Sequence, residues 1–353
     1  MPWPAWYMTD TPTVGTCYVP AARLPDCIAR HRTGQAWRYG APDKRVWTTY
    51  CPNRRLSYKS LKRLDVRDES EFWTVMHAAQ AANLAPPSSL ADLFHSVYRL
   101  PFPRVSVLAP FKNFVFGGWQ AALRRGEYRG RVWQYDLNSA YRWAACAGLP
   151  NLRGAYRTER FDHPSAVYLL RLPAGALPYR CSPGPALVTS EERDAFGLRG
   201  VSGIQFLYGV AFRGEPVDLT PTFAELDARF PAVSKKIGRA FWGMWNTRNA
   251  PEQVAFKSGT ARLMKNPFYN PIYSAIITSR VKLRMLPFLR YALHVYVDSV
   301  HLTEPIITPS SDVGGWKLSG EWNGVFIHAP GVWGSGEHYI KRAGHHAVRE
   351  LGD

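Results

Sequence analysis

The chain has 353 residues, 46% hydrophobic and 14% aromatic, and this composition excludes a wholly disordered protein. Lys and Arg number 44 against 27 Asp and Glu, and the net charge of +17 predicts a polyanionic partner such as nucleic acid. No run of about 18 apolar residues predicts a membrane span. The first residues lack the order of a signal peptide, so we expect a cytoplasmic protein without a membrane partner.

The five cysteines are odd in number and show no C-x-x-C spacing. This pattern indicates neither a zinc site nor a disulfide framework. Residues 1–104 are rich in proline, tryptophan and basic residues, and we predict no chemical role for any motif there. After them, the adjacent Gly117 and Gly118 permit either a tight turn or close approach of the backbone to a ligand.

An apolar strand is predicted to deliver Asp136 and then to lead into an amphipathic helix, within residues 132–143. A second apolar strand, within residues 294–302, again carries a single acid, Asp298. Hard cations such as Mg²⁺ prefer oxygen ligands. Asp136 would therefore supply one half of a two-metal site and Asp298 the other half, but only if the fold pairs these distant strands.

Between the two acids, short strands are predicted first, followed by a helix that Ser190 caps. Apolar residues then recur at intervals of three or four from Thr222 to about Arg248 and predict a helix. A second helix is predicted from Pro251 to about Tyr269, so that the two form a hairpin. A basic amphipathic helix is predicted over residues 272–291.

The predicted second helix would align Arg262, Asn266 and Tyr269 on one face, at i, i+4 and i+7. Arginine can bind phosphate oxygens with two parallel hydrogen bonds, so this face would suit a triphosphate. The alternative is a solvated face with chance spacing. Towards the carboxy terminus, basic and aromatic residues alternate within short predicted strands, a composition that suits a nucleic-acid backbone.

These residues resemble the motifs of family B DNA polymerases, closest to the protein-primed and the phage or plasmid branches. The sequence Y-D-L-N-S-A-Y-R is similar to the palm motif D-x-x-S-L-Y-P, and its matches are Asp136, Ser139 and Tyr141. Ala140 and Arg142 replace the family's Leu and Pro.

The sequence Y-V-D-S-V-H is similar to the family's D-T-D-S-I-H. Asp298 matches the acid that binds metal, and Tyr296 stands where the first acid usually is. The sequence R-L-M-K-N-P-F-Y-N resembles the fingers motif K-x-x-x-N-S-x-Y-G, with Arg262 at the phosphate-binding lysine. Arg248 is a further candidate phosphate contact.

Three further partial motifs follow the family order. V-F-G-G, ending at Gly118, resembles the template-strand motif Y-x-G-G, and T-S-E-E, ending at Glu192, resembles a structural palm element. G-E-H-Y-I resembles the primer-strand motif K-x-Y, with Tyr339 matched and Glu337 in place of Lys. The resemblance covers roughly residues 105 to 345 and depends on the order and spacing of six partial motifs.

The resemblance implies an α+β fold, a right-hand polymerase with an antiparallel-sheet palm, helical-hairpin fingers and a small thumb. The implied palm is 105–221 and 272–315, the fingers 222–271, and the thumb or primer-template segment 316–353. Residues 1–104 would form an amino-terminal domain of unknown role. They carry no D-x-E sequence, so no proofreading exonuclease is expected.

The implied activity is template-directed DNA polymerisation by two-metal nucleotidyl transfer, in a protein encoded by a bacterium, phage or plasmid. The implied cofactor is two Mg²⁺ ions, with Mn²⁺ able to substitute, and the implied partners are primer-template DNA, dNTPs and a terminal protein or another replication protein. The implied metal ligands and catalytic residues are Asp136 and Asp298, with the Leu137 carbonyl as a further ligand. The implied nucleotide-binding residues are Leu137, Ser139, Tyr141, Arg248, Arg262, Asn266 and Tyr269, and the DNA-binding residues are Gly117, Gly118, Lys317, Tyr339, Lys341 and Arg342.

Two alternatives stay open at this point. A primase-like polymerase would start chains without a primer. A catalytically inactive polymerase relic would bind DNA as an accessory protein, and the replaced residues Arg142, Tyr296 and Glu337 motivate this second alternative.

Overall fold

The computed structural model describes residues 117–180, 182–246 and 269–335, together with the strands given below and a few helical residues between 74 and 111. The chain divides into two compact units. The first comprises Met1–Pro101 and Thr220–Tyr269, and the second comprises Phe102–Leu219 and Asn270–Asp353. The division into palm, fingers and thumb stays a prediction.

The strands are, in chain order, β1 (Cys17–Pro20), β2 (Trp47–Cys51), β3 (Tyr58–Leu64), β4 (Trp119–Ala122), β5 (Gly126–Leu137), β6 (Ala155–Arg157), β7 (Ala166–Leu172), β8 (Gly184–Thr189), β9 (Gln205–Phe212), β10 (Asn249–Ala255), β11 (Ala261–Lys265), β12 (Ala292–Val297), β13 (Ser299–Leu302), β14 (Trp316–Ala329), β15 (Val332–Gly334), β16 (Ile340–Arg342) and β17 (His345–Ala347). The α-helices are α1 (Ala140–Cys146), α2 (Ser190–Ala195), α3 (Thr220–Arg229), α4 (Ser234–Asn246) and α5 (Pro271–Leu283).

The second unit contains two antiparallel sheets. The larger has eight strands in the order β17-β16-β15-β14-β5-β13-β12-β4, and the smaller has four in the order β6-β9-β7-β8. The smaller sheet contributes to a hydrophobic core whose members include Tyr168, Leu170 and Val188, all fully buried. In the larger sheet, β5 and β13 are neighbours although they are distant in sequence, as the pairing of the two acids requires.

Helix α5 packs against α1, α2 and β8. Asn270 caps it, because its Oδ1 accepts the Tyr273 N–H at 3.1 Å, and Pro271 occupies the first turn, where a missing N–H costs nothing. The predicted amphipathic helix over 272–291 is wrong in two respects. Nearly every residue of α5 is buried, and the α-helix ends at Leu283, after which a 3₁₀ helix with a proline near its start runs from Leu286 to Tyr291.

The basic residues at the end of α5 interact within the protein. Arg280 forms a bidentate ion pair with Glu191 and donates to the Ala144 carbonyl at 2.8 Å. Arg284 donates to the Gly314 carbonyl at 3.1 Å. Arg280 is therefore paired with a carboxylate inside the second unit, whereas Arg284 is exposed and connects the end of α5 to the loop before β14.

Helix α2 begins with a capping box, in which Thr189 and Glu192 each accept from the other's backbone N–H. The predicted Ser190 cap is therefore wrong by one residue, because the hydroxyl of Thr189 is the one that reaches the third helical N–H. Thr189 also hydrogen-bonds Ser279 of α5 at 2.8 Å between the two hydroxyls. The resembled palm element thus joins β8, α2 and α5.

The first unit contains a five-stranded sheet in the order β1-β2-β3-β10-β11, and helices α3 and α4. The single predicted helix over 222–248 is two helices, because Pro231 lacks a backbone donor and disfavours helical geometry at the residue before it. The predicted helix from Pro251 to Tyr269 is wrong, because that segment forms β10 and β11, paired antiparallel. Ser258-Gly259, residues typical of turns, lie between these strands.

Candidate functional site

Asp136 lies in the larger sheet, one residue before the end of β5. Its backbone pairs with Ser299 of β13 on one side and with Lys317 of β14 on the other. Directly opposed residues of antiparallel strands project from the same face, so Ser299, Asp136 and the exposed Lys317 form one lateral row. The predicted DNA-binding Lys317 is therefore a neighbour of the predicted metal ligand.

Asp298 is the single residue between β12 and β13, where it forms a tight turn with Val297, and it does not lie within a strand as predicted. Its backbone carbonyl accepts the Leu137 N–H at 2.8 Å, so the turn is hydrogen-bonded to the residue that follows Asp136. The structure thus brings Asp136, Leu137 and Asp298 together, as the pairing of the two acids required.

Gln134 and Asn138, to which no role was assigned from the sequence, both hold the segment around Asp136. Gln134 is buried, and its Nε2 donates to Asp136 Oδ1 at 3.2 Å and to Ser299 Oγ at 3.3 Å. Gln134 precedes Asp136 by two residues and therefore shares its face of the strand, and this spacing is the signal that could have identified it.

Asn138 connects the turn after Asp136 to the loop before β14. Its Nδ2 donates to the carbonyls of Ser311 at 2.6 Å and Asp312 at 3.1 Å. Its backbone N–H donates to the Gly315 carbonyl, and its own carbonyl accepts the Gly314 N–H, both at 2.8 Å. Nothing in the sequence marks this loop as a partner, because the contact spans more than 170 residues.

Positive φ angles mark both acid segments. Among the residues that the structure describes, only two non-glycine residues have a positive φ: Ser139 at 52° and Val297 at 61°. Ser139 follows Asp136 by three residues, and Val297 immediately precedes Asp298. Such conformations persist only where the surroundings enforce them, and they concentrate at functional sites.

The other predicted site residues are placed as follows. Ser139 is the N-cap of α1, Tyr141 lies half-buried in that helix, and Gly117 and Gly118 directly precede β4. The backbones of Lys341 and Arg342 belong to β16, and that of Arg262 to β11, so the helical face predicted for Arg262, Asn266 and Tyr269 does not form. Tyr269 is half-buried, whereas Arg248, Asn266 and Tyr339 lie outside the described residues.

The residues present would supply only some of the ligands that a magnesium ion needs, and the substrate would supply the others. Within the described part of the chain, no group of three or more His, Cys, Asp and Glu side chains is placed to hold a metal. Mg²⁺ is commonly bound by one or two carboxylates together with substrate phosphates. Asp136 and Asp298 would supply the carboxylates, and the Leu137 carbonyl is a further candidate ligand from the backbone.

The architecture is a mixed α/β fold built on antiparallel sheets, and a DNA polymerase shares it. Phi29 DNA polymerase complexed with primer-template DNA aligns with a TM-score of 0.57 and 12% identity over 77% of this chain and 62% of that chain. Its ternary complex with primer-template DNA and incoming nucleotide substrates gives a TM-score of 0.57 and 13% identity over 77% and 63%.

The chain therefore aligns with less than two thirds of the length of these polymerase structures. No protein-family model and no curated protein matches the chain. At these identities the likeness establishes the fold relationship and not the activity. Among the described residues, no helix is both long and apolar enough to cross a membrane.

Proposed function

We propose that the protein is a template-directed DNA polymerase that adds deoxynucleotides to a primer by nucleotidyl transfer. The observation that carries the proposal is that the neighbouring interior strands β5 and β13 bring the Asp136–Leu137 segment and Asp298 together, in a fold shared with a DNA polymerase. Two bound Mg²⁺ ions would stabilise the charge that develops on the attacking and leaving oxygens.

In this reaction the primer 3′-oxygen attacks the α-phosphorus of the nucleotide. A new P–O bond forms, the bond to pyrophosphate breaks, and the hydroxyl proton passes to solvent. The two carboxylates would hold the metals, with Gln134 orienting Asp136 through its Nε2 donor. The basic carboxy-terminal residues are proposed to hold the primer-template, as the resemblance implies.

The proposal also omits proofreading, because residues 1–104 contain no D-x-E sequence that could supply the family's second metal pair. The basic composition and the DNA of the structural neighbours support DNA as the partner. Binding that depends on phosphate contacts should weaken steeply as salt increases. A terminal protein as primer stays a proposal without structural support.

The test is a gel assay of the purified chain with dNTPs, on a labelled primer-template and on an unprimed template, each with and without Mg²⁺. We expect Mg²⁺-dependent extension of the primed template only. Products on the unprimed template would instead establish the primase-like alternative. DNA binding without nucleotide incorporation under either condition would establish an inactive relic.

Tyr141 is proposed to select the sugar, because it follows Asp136 by five residues on α1 and its ring would contact the 2′ position. We expect Tyr141→Ala to raise ribonucleotide incorporation relative to deoxynucleotide incorporation by about tenfold. Tyr208→Ala is the matched control, since Tyr208 is also half-buried but lies in β9 of the smaller sheet. An unchanged ratio in Tyr141→Ala would show that Tyr141 has another role.

A further inference from the structure

Gly117 and Gly118 are adjacent, and the polymerase resemblance assigns both to DNA, yet the structure distinguishes them. A Cβ atom built on Gly117 would meet no atom of the described residues within 4 Å. A Cβ atom on Gly118 would lie 2.8 Å from Val297 Cγ1, 3.0 Å from Val297 Cα and 3.1 Å from Val297 Cβ. Real Cβ atoms essentially never show a contact of 2.8 Å, so only glycine fits at position 118 while Val297 keeps its place.

The residue that Gly118 contacts belongs to the turn that presents Asp298. Val297 is the backbone partner of Trp119, so β4 and β12 bring Gly118 against this turn. Val297 has a φ of 61°, which is an outlier for a β-branched residue and has to be enforced by its surroundings. Close packing of the Gly118 backbone against Val297 is one such constraint.

The position of this turn also determines the distance between the two acids. Asp298 follows Val297, and its carbonyl accepts the Leu137 N–H at 2.8 Å. A displacement of Val297 away from β4 would therefore be transmitted to this hydrogen bond and to Asp298. Metal-dependent transfer is sensitive to such changes, since a misplacement of about 1 Å can reduce the rate by about a hundredfold.

We infer that Gly118 is a positioning residue for Asp298, whereas Gly117 has no such role. The absent side chain of Gly118 lets β4 pack against the Val297–Asp298 turn and fixes the second acid relative to Asp136. The inference rests on the proposed function only in the step from position to catalytic rate. The packing step concerns this sheet alone and can be measured without any polymerase activity.

The test compares Gly118→Ala with Gly117→Ala, two changes that add the same methyl group to neighbouring residues. For Gly118→Ala we expect primer extension about 10- to 100-fold slower, a higher Mg²⁺ concentration for half-maximal rate, and an unchanged dissociation constant for primer-template DNA. For Gly117→Ala, at a position that the resemblance assigns to DNA, we expect an unchanged Mg²⁺ concentration for half-maximal rate, and any loss of rate should be matched by a loss of DNA affinity. Gly200→Ala is the control for basal activity, because its added Cβ would meet no atom of the described residues within 4 Å, and all three quantities should stay within about twofold of the original chain.

Two further measurements make the result independent of the polymerase assay. Hydrogen exchange of the Leu137 amide should accelerate in Gly118→Ala and not in Gly117→Ala, because that amide donates to Asp298. Adding Val297→Gly to Gly118→Ala removes the Cγ1 and Cβ atoms of the clash and suits a φ of 61°, so it should restore part of the rate and the slower exchange.

The double variant also carries the test if Gly118→Ala alone does not fold. Equal behaviour of the two single variants, or a parallel loss of DNA affinity and rate in Gly118→Ala, would overturn the inference. If the Leu137 amide responds as expected but no variant and no original chain extends a primer, the positioning of Asp298 stands and the proposed polymerase function fails.

Discussion

Replacing Asp136 or Asp298 with asparagine should reduce primer extension by about three orders of magnitude or more and leave the fold intact. A metal clamp contributes several kcal/mol to stabilising the transition state, and about 1.4 kcal/mol corresponds to a tenfold change in rate. Asparagine keeps the shape of aspartate but loses the anionic oxygen that a hard cation prefers. The rate of nucleotide addition under saturating Mg²⁺ and dNTP is the quantity to measure.

The structure explains why these substitutions should preserve the fold. Gln134 Nε2 donates to Asp136 Oδ1, and the amide oxygen of asparagine can accept the same hydrogen bond. In the turn, the bond to Leu137 uses the backbone carbonyl of Asp298, which the substitution does not alter. We therefore expect unchanged thermal unfolding midpoints.

Glu304→Gln is the matched control, because it removes one negative charge from an exposed position beyond β13 and should retain the original rate. Either Asp variant lowers the negative charge near the DNA, so its affinity for primer-template should be equal or higher. Activity near that of the original chain in either Asp variant would contradict the two-metal assignment. Reduced DNA affinity in step with the rate would contradict it as well.

The pairing of the two acids was predictable because each acid stands alone in a strongly apolar segment. The sequence around each acid predicted a strand, so the acids could meet if the two strands belonged to one sheet. This condition is met, because β5 and β13 are neighbours. The exact support of the acids was not predictable. Asn138 contacts a loop more than 170 residues away, and no local pattern encodes such a partner.

The prediction of helices from apolar periodicity was wrong where a proline or other turn residue interrupts a regular spacing. Phe230, Val233 and Ile237 keep the spacing of three or four across Pro231, so one helix was predicted where α3 and α4 are separate. In the segment of β10 and β11, one helix was predicted over residues 251–269, and the turn signal of Ser258-Gly259 was not taken into account. A Ser-Gly pair is stronger evidence against a continuous helix than three polar residues at helical intervals are for one.

The charge of helix α5 was also misjudged, because net charge does not show which cations are buried. Lys282 was predicted on a basic face, yet its side chain is buried and lies 3.6 Å, Nζ to Oε1, from the buried Glu192. The Tyr179 hydroxyl donates to the same Glu192 oxygen at 2.6 Å, and Lys282 Nζ lies 4.0 Å from the centre of the Tyr179 ring. The three residues form a buried polar cluster that joins α2 and α5.

This cluster leads to the largest stability effect that we expect. Burial lowers the pKa of the Lys282 ammonium, although Glu192 opposes that shift, and burial raises the pKa of Tyr179, which keeps its hydroxyl a donor. Glu192→Gln removes the only carboxylate contacting this ammonium among the described residues. We expect it to lower the free energy of unfolding by about 3 kcal/mol or more, measured by urea denaturation.

The double variant Glu192→Gln with Lys282→Met separates the charge from the packing. Replacing both members of a buried ion pair by neutral residues is often close to neutral, so the double variant should be more stable than Glu192→Gln alone. Arg229→Met paired with Glu225→Gln, an exposed ion pair on α3, is the control and should change stability by less than about 1 kcal/mol. Additive losses in the double variant would contradict coupling between Glu192 and Lys282.

The pH dependence of the stability of Glu192→Gln tests whether the loss comes from a buried Lys282 ammonium without its carboxylate. Without the carboxylate, the pKa of Lys282 in the folded protein should fall further below its ordinary value, while the unfolded value is unchanged. Between these two values the unfolded chain binds the proton that the folded chain has released, so stability rises with pH. The deficit of Glu192→Gln relative to the original chain should therefore shrink as the pH rises towards the ordinary pKa of lysine. A deficit that stays constant as the pH rises would show that the loss comes from the capping box and the Tyr179 hydrogen bond, and not from an unpaired buried ammonium.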